Sequence, residues 1–218
     1  MDSKKIQSIC LFLVFALICP SLTVGQGPEP IKLPDPQTDI GRPLMQVLKD
    51  RASSRAFSSE KLPDQVLSNL LWAAFGINRQ ESGKRTAPSA MNRQEIDIYV
   101  TTAEGLFLYD ATAHALQPIL SEDIRALTGG QDFVKRAPVN LVYVADFSKT
   151  GQGENAQDIF YPAVDTGFIS QNVYLYCASE GLATVVRGWV DKPTLEKAMN
   201  LRPEQKVMLA QTVGYPEK

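Results

Sequence analysis

The chain predicts an α+β fold in which strands and helices share one core. Three observations carry that expectation. The segment "EIDIYVTTAEGLFLYDATAHALQPI" alternates with the two-residue period of a half-buried strand. "RAPVNLVYVADF" is a β-branched apolar run of the kind found in central strands. "LPDQVLSNLLWAAFGI" and "DTGFISQNVYLYCASEGLA" space their apolar residues as helices do. With 218 residues, 44% of them hydrophobic and 21% charged, the chain has ordinary globular composition and enough length for one or two domains.

Taken in order, residues 1–25 read as a secretory signal. Lys4 and Lys5 precede an apolar run from Ile9 to Cys19, then come Pro20 and small residues up to Gly25. The run is short for a bilayer span, so no stable membrane insertion is expected after cleavage, and the mature chain is placed in the periplasm, starting near Gln26. Residues 26–41 form an extended, Pro-rich arm, because the four prolines of "QGPEPIKLPDPQT" prevent regular structure. The domain occupies residues 42–218.

Within it, "RPLMQVLKDR" predicts a helix that enters at Pro43, aligns Leu44, Val47 and Leu48, and delivers Arg51 at its end. A second helix opens at Pro63 and Asp64, carries the stripe Val66, Leu67, Leu70, Leu71, Ala74 and Phe75, and closes at Gly76. Residues 77–95 read as a polar loop. A hairpin follows, with Ile96, Ile98 and Val100 on one face, a turn at Glu104 and Gly105, and a second strand through Leu106 and Leu108. After the central strand comes a long helix, apolar on nearly every side, which suits burial in a domain or dimer. "ATVVRGWV" gives a short strand ending at Gly188, "DKPTLEKAMNL" a helix capped by Asp191, and "KVMLAQTVGYP" the last strand.

Much familiar chemistry is missing. One histidine, His114, and one cysteine outside the signal, Cys177, do not make a zinc site. No Gly-x-Ser-x-Gly elbow, Walker loop or Gly-x-Gly-x-x-Gly run occurs. The formal charge of −2 gives no general attraction to nucleic acid. Cys177 sits in "VYLYCAS", where a buried inert thiol is expected. No side chain is assigned as a catalytic acid, base or nucleophile, so any reaction is expected to reside on a bound cofactor.

"RASSRAF", residues 51–57, concentrates two guanidinium forks and two hydroxyls, a composition suited to phosphate. On its own it equally suits a solvated i,i+4 pair on a helix end, with Ser53 or Ser54 as N-cap. In chain order it is followed by "RTAPSAMNRQE", "GGQDFVKRAP" and "VVRGWV". In that order and spacing the sequence resembles the FMN-dependent nitroreductases, most nearly the short members related to azoline-oxidising (SagB-type) dehydrogenases, over roughly residues 42–218.

The resemblance implies a nitroreductase-like fold, a central, mostly antiparallel sheet flanked by helices, and a homodimer with FMN at the interface. It implies that Arg51 and Ser53 hold the FMN phosphate and ribityl chain and that Arg55 faces the flavin N1 and O2 edge. Pro88, Ser89 and Asn92 match a loop that usually reaches the flavin of the other subunit. Gln131 falls where an amide faces the pyrimidine ring, Arg187 and Gly188 where main-chain groups approach N5 and O4, and Lys218 where a C-terminal cation meets the phosphate. Arg187 departs from the acidic or neutral residue of several relatives, so it either tunes the flavin or salt-bridges at the rim. The implied activity is hydride transfer from NAD(P)H through the flavin to a small electron-poor acceptor such as a nitroaromatic or quinone, by a ping-pong cycle. Flavin-dependent oxidation of an organic substrate and flavin binding without turnover remain the alternatives.

Overall fold

The β-branched run around Val142 forms the centre of the molecule, because apolar side chains on both faces of a strand need a layer on each side. The computed structural model describes residues 29–150 and 156–217. Its elements in chain order are β1 (Ile31–Lys32), α1 (Leu44–Asp50), α2 (Asp64–Phe75), β2 (Ile77–Arg79), β3 (Lys84–Arg85), β4 (Ile96–Thr102), β5 (Gly105–Asp110), β6 (Ala115–Leu120), β7 (Val139–Asp146), α3 (Ala156–Glu180), β8 (Ala183–Arg187), α4 (Lys192–Ala198) and β9 (Gln205–Gly214). Seven strands make one sheet in the order β1-β6-β5-β4-β7-β9-β8, with every pairing antiparallel. All eight residues of β7 are buried.

The hairpin alternation sorts the two faces as expected. Ile96, Ile98 and Val100 pack with α2 and α3 through Leu70, Leu71, Ile169, Val173 and Cys177. Tyr99 and Leu106 face the other way, onto Leu195 and Met199 from the α4 region. A third, smaller cluster joins Phe57, Phe133, Val134, Ala137, Ala183 and Val185 where β8 meets the segment after α1. That third cluster fixes the ground on which the candidate site stands.

Several elements differ from expectation for identifiable reasons. Of the α1 face only Val47 is buried, while Leu44 is 60% and Leu48 44% exposed. α3 starts at Ala156 and carries exposed Phe160, Tyr161, Val164 and Phe168, so it is not buried all round. The region 77–95 contains a small hairpin, β2 with β3, turned through Gly83 at φ +61. The hairpin of β4 and β5 continues into β6, where Pro118 is accommodated because β1 pairs only with Ala115 and Leu116 of that strand. Gly76 closes α2 in extended geometry. Its role there is steric, since a Cβ would lie 2.5 Å from Trp72 Cδ1.

The arm is extended and pinned. Ile31 and Lys32 join the sheet edge, and the Leu33 N–H donates to the His114 carbonyl at 3.1 Å. The Ser68 hydroxyl donates to Pro34 O, so its oxygen accepts from His114 Nε2 at 2.7 Å, and His114 Nδ1 in turn accepts from the Tyr109 hydroxyl at 3.0 Å. This arrangement needs a neutral imidazole, and burial pushes the His114 pKa down. His114 is therefore a fastener for the arm. The proposed signal, residues 1–25, lies outside the described residues.

Candidate functional site

β8 is the last strand of the sheet, and an edge strand must do something with its outward backbone groups. Ser54 N–H donates to Thr184 O at 2.9 Å and Val186 N–H donates to the Tyr174 hydroxyl at 2.9 Å. Thr184 and Val186 therefore direct their backbone groups outward, while Ala183, Val185 and Arg187 bond to β9. By the alternation of an antiparallel ladder, the N–H of Gly188 points outward as well. The first half of the edge is covered by residues 54–57, and the second half opens at Gly188, which is exposed.

Tyr174 organises the covered half. Its hydroxyl accepts from Val186 and lies 2.8 Å from Ser53 Oγ, and its ring lies 5.2 Å from the Arg51 guanidinium carbon. Because the phenol can donate to Ser53, the serine proton is left for an outside acceptor. α1 ends at Asp50 and the next residues run extended to Phe57, which bridges to Pro216. Arg51 caps the end of α1, as expected, but Arg55 lies beyond the helix, so the two arginines are not an i,i+4 pair on a helix. Arg55 and Ser53 are exposed, and neither Arg51 nor Arg55 forms an ion pair among the described residues.

The far end of β8 is built differently. Arg187 is 5% exposed and donates to Thr128 O, to Thr128 Oγ1 at 3.4 Å and to Asn140 Oδ1 at 3.1 Å. The rim salt bridge considered for Arg187 is therefore excluded. Its guanidinium faces inward with Phe133 5.9 Å away, and burial pushes its pKa down to about 10. It remains a cation at neutral pH. Asn140 is fully buried, accepts from Thr212 Oγ1 at 2.6 Å and donates to Val134 O at 2.8 Å, so the arginine is tied into β7 and β9. Above it passes the Gly-Gly-Gln turn, where a Cβ on Gly129 would fall 2.0 Å from Arg187 Nη1 and 2.8 Å from Gln131 Oε1. Two buried polar atoms there, Gln131 Oε1 and Arg187 Nε, have no hydrogen-bond partner among the described residues. Trp189 stands beside them, 72% exposed.

The loop of Pro88, Ser89 and Asn92 is not brought to this edge within the chain. It is fastened to α3, where Ala90 N–H donates to Asp165 Oδ2 at 2.8 Å. Asp165 precedes Tyr174 by nine residues, about 13.5 Å of helix rise. Ser89 is turned inward: its hydroxyl accepts from Gln94 N at 2.8 Å and donates to Glu95 Oε2 at 3.2 Å. Glu95 is 1% exposed, and burial, with Asp165 adding to it, raises its pKa. The loop instead exposes Pro88, Met91 and Asn92, the last two at φ 53 and 54, where side chains are strained. Lys218 lies outside the described residues.

A cavity of about 440 Å³ lies elsewhere, between the arm, α1, α2 and α3, lined by Gln37, Arg42, Trp72, Asn172 and Tyr176 among others. None of the residues predicted for cofactor binding lines it. Among the described residues no group of three or more His, Cys, Asp or Glu is placed to hold a metal, and no helix is long and apolar enough to cross a membrane. Cys177 is free, fully buried and pushed far up in pKa by burial, as an inert thiol should be.

Sequence reading missed Tyr174, Thr128, Asn140 and Trp189. Asn140 did leave a signal, a lone amide inside a β-branched strand, which must find partners when buried. Tyr174 left a weaker one, a phenol within an apolar helix.

The sequence and the seven-stranded antiparallel sheet both have known counterparts. Residues 48–215 match the nitroreductase family. A candidate nitroreductase of Methanocaldococcus jannaschii is 34% identical over 155 residues, 66% of this chain and 78% of that one. The crystal structure of a candidate nitroreductase from Ralstonia eutropha superposes with a TM-score of 0.83 at 41% identity, covering 89% of this chain and 93% of the other. The NADPH:FMN oxidoreductase of Vibrio harveyi, complexed with NAD+, shares the fold at 19% identity and a TM-score of 0.62, over 80% of this chain and 69% of its own. The chain belongs to the nitroreductase family. With that membership comes the nitroreductase fold and an oxidoreductase of the flavin-dependent kind.

Proposed function

We propose that the protein is a homodimeric FMN-dependent oxidoreductase that takes hydride from NAD(P)H and passes it to a small electron-poor acceptor such as a nitroaromatic or quinone. The observation that carries this reading is the outer edge of β8. From Thr184, beside Ser54, to Gly188 is four residues, about 13 Å of strand. The guanidinium groups of Arg51 and Arg55, in no ion pair among the described residues, and the Ser53 hydroxyl stand at one end, suited to a phosphate. The Gly188 N–H and the Gln131 side-chain amide, whose Oε1 has no partner among the described residues, stand at the other, suited to the polar rim of a flat ring. Bound FMN supplies the two-electron chemistry, and the chain's own groups bind, orient and neutralise it.

A dimer completes the site in this reading. The exposed apolar side chains of α1 and α3, among them Leu44, Met45, Phe160 and Phe168, form a surface typical of association. The loop of Pro88 and Asn92 is fastened to α3 through the buried Asp165, away from its own Tyr174, in a position to serve a second copy. That the Vibrio harveyi protein of the same fold is an NADPH:FMN oxidoreductase supports FMN and a nicotinamide donor. Residues 1–25 are proposed as a cleaved signal for export to the periplasm, which the amino-terminal sequence of protein recovered from that compartment tests.

The purified mature protein is expected to be yellow, to run as a dimer in light scattering, to release FMN on denaturation and to bleach with NADH or NADPH. A correctly folded, colourless protein that refuses added FMN would overturn the reading. A yellow protein bleached only by an organic reductant would instead point to the oxidase alternative.

A further inference from the structure

Arg187 carries a permanent charge into the interior with no anion to meet it. Among the described residues its three hydrogen bonds go to a carbonyl, a hydroxyl and an amide, all neutral, and its Nε has no partner. Among the described residues no carboxylate pairs with it. A buried charge in low dielectric is costly when uncompensated, and its field reaches further than that of a solvated one. A neutral side chain of similar volume would fill the same space without that cost. The charge is also held still, by Asn140 and Thr128 below and Gly129 above, so it cannot swing out to solvent. It sits one residue before Gly188, whose N–H opens the free half of the β8 edge.

We propose that Arg187 is a fixed electrostatic element that stabilises the reduced flavin more than the oxidised flavin at this edge. The inference rests on the FMN reading above. Uptake of the two electrons and one proton of a hydride from NADH or NADPH leaves the ring with one additional negative charge. The buried guanidinium supplies the opposite charge without taking up or releasing a proton. By linkage, tighter binding of the reduced form raises the midpoint potential, and a tenfold difference in affinity ratio is about 30 mV for a two-electron couple.

The test is dye-equilibrated potentiometry of the FMN-loaded protein with Arg187→Gln, Arg187→Lys and Asn140→Asp. Arg187→Gln is expected to lower the ratio of reduced to oxidised affinity about tenfold. Arg187→Lys, which keeps the charge and loses the fork, is expected to stay within about twofold of the parent. Asn140→Asp, which places a carboxylate against the guanidinium, is expected to fall as Arg187→Gln does, and it carries the test if that variant does not fold. A Gln variant with the parent potential overturns the proposal. So does a Lys variant that falls as far as Gln, because Arg187 would then act only by holding the Thr128–Gln131 turn. Parent protein that takes up no FMN overturns the functional reading first and this inference with it.

Discussion

Arg51 stands beside β8 and Arg187 ends it, and the molecule treats them in opposite ways. Arg51 lies over the Tyr174 ring at the surface of an extended segment, where its charge is hydrated and makes no ion pair among the described residues. Arg187 is buried and spends its donors on Thr128 and Asn140. A surface cation without a partner costs the fold little and stays available to a ligand. A buried one is committed to the fold. The difference teaches that one residue type meets two fates along one edge: left available to a ligand where the strand is covered, committed to the fold where it opens.

The largest effect that could break this contrast is at the buried end. Arg187→Ala leaves Thr128 O and Asn140 Oδ1 short of a donor and opens a void beneath Gly129. It is expected to cost about 3 kcal/mol in urea unfolding of the protein without cofactor. Gly129→Ala should reproduce part of that loss, about 1–3 kcal/mol, since its Cβ would press on Nη1 at 2.0 Å. Loss below about 0.5 kcal/mol in both would show that the guanidinium is not structural.

At the exposed end the order of effects reverses. Arg51→Ala and Arg55→Ala are each expected to leave unfolding within about 0.5 kcal/mol of the parent. Each should weaken FMN binding about tenfold or more, the worth of one charge-assisted hydrogen bond, when released flavin is titrated by fluorescence. The same affinity should fall as salt rises, because these charges are solvated. Tyr174→Phe belongs between the two regions. It removes one acceptor from Val186 N–H and one partner from Ser53, for about 1 kcal/mol in stability and a few-fold in FMN affinity. An effect on stability alone would make Tyr174 a cap for the strand edge and nothing more.

How much of this was legible in the sequence follows from how far apart the partners lie. β7 and α2 were readable because their evidence is local: a continuous apolar run, or a stripe between Pro63 and Gly76. β6 was not, because its residues read as part of a two-stranded hairpin, and only the sheet shows a third strand whose Pro118 is tolerated beside the short β1. The arginines and serines of residues 51–55 were visible by composition. Their organiser was not, since Tyr174 is 121 residues from Ser53 and appears only as one more apolar position in α3. Likewise the inward turn of Arg187 depends on Asn140, 47 residues away, and the sequence left both inward and rim readings open.

The smallest expected effect lies outside the site and sharpens the comparison by its absence there. His114 is held neutral, donating to Ser68 and accepting from Tyr109, with a pKa pushed down by burial. A group whose folded pKa is depressed contributes stability above its unfolded value, near 6.5 for histidine. That contribution is lost as pH falls toward the folded value. The parent should therefore lose thermal stability below about pH 6.5, and His114→Asn, which tolerates the φ of +47 at this turn, should flatten that acid limb. FMN affinity should be unchanged, because His114 ties the arm to α2 and touches no part of the β8 edge. A fall in FMN retention in this variant would mean that the arm, through α2 and α3, helps to hold Tyr174 in place.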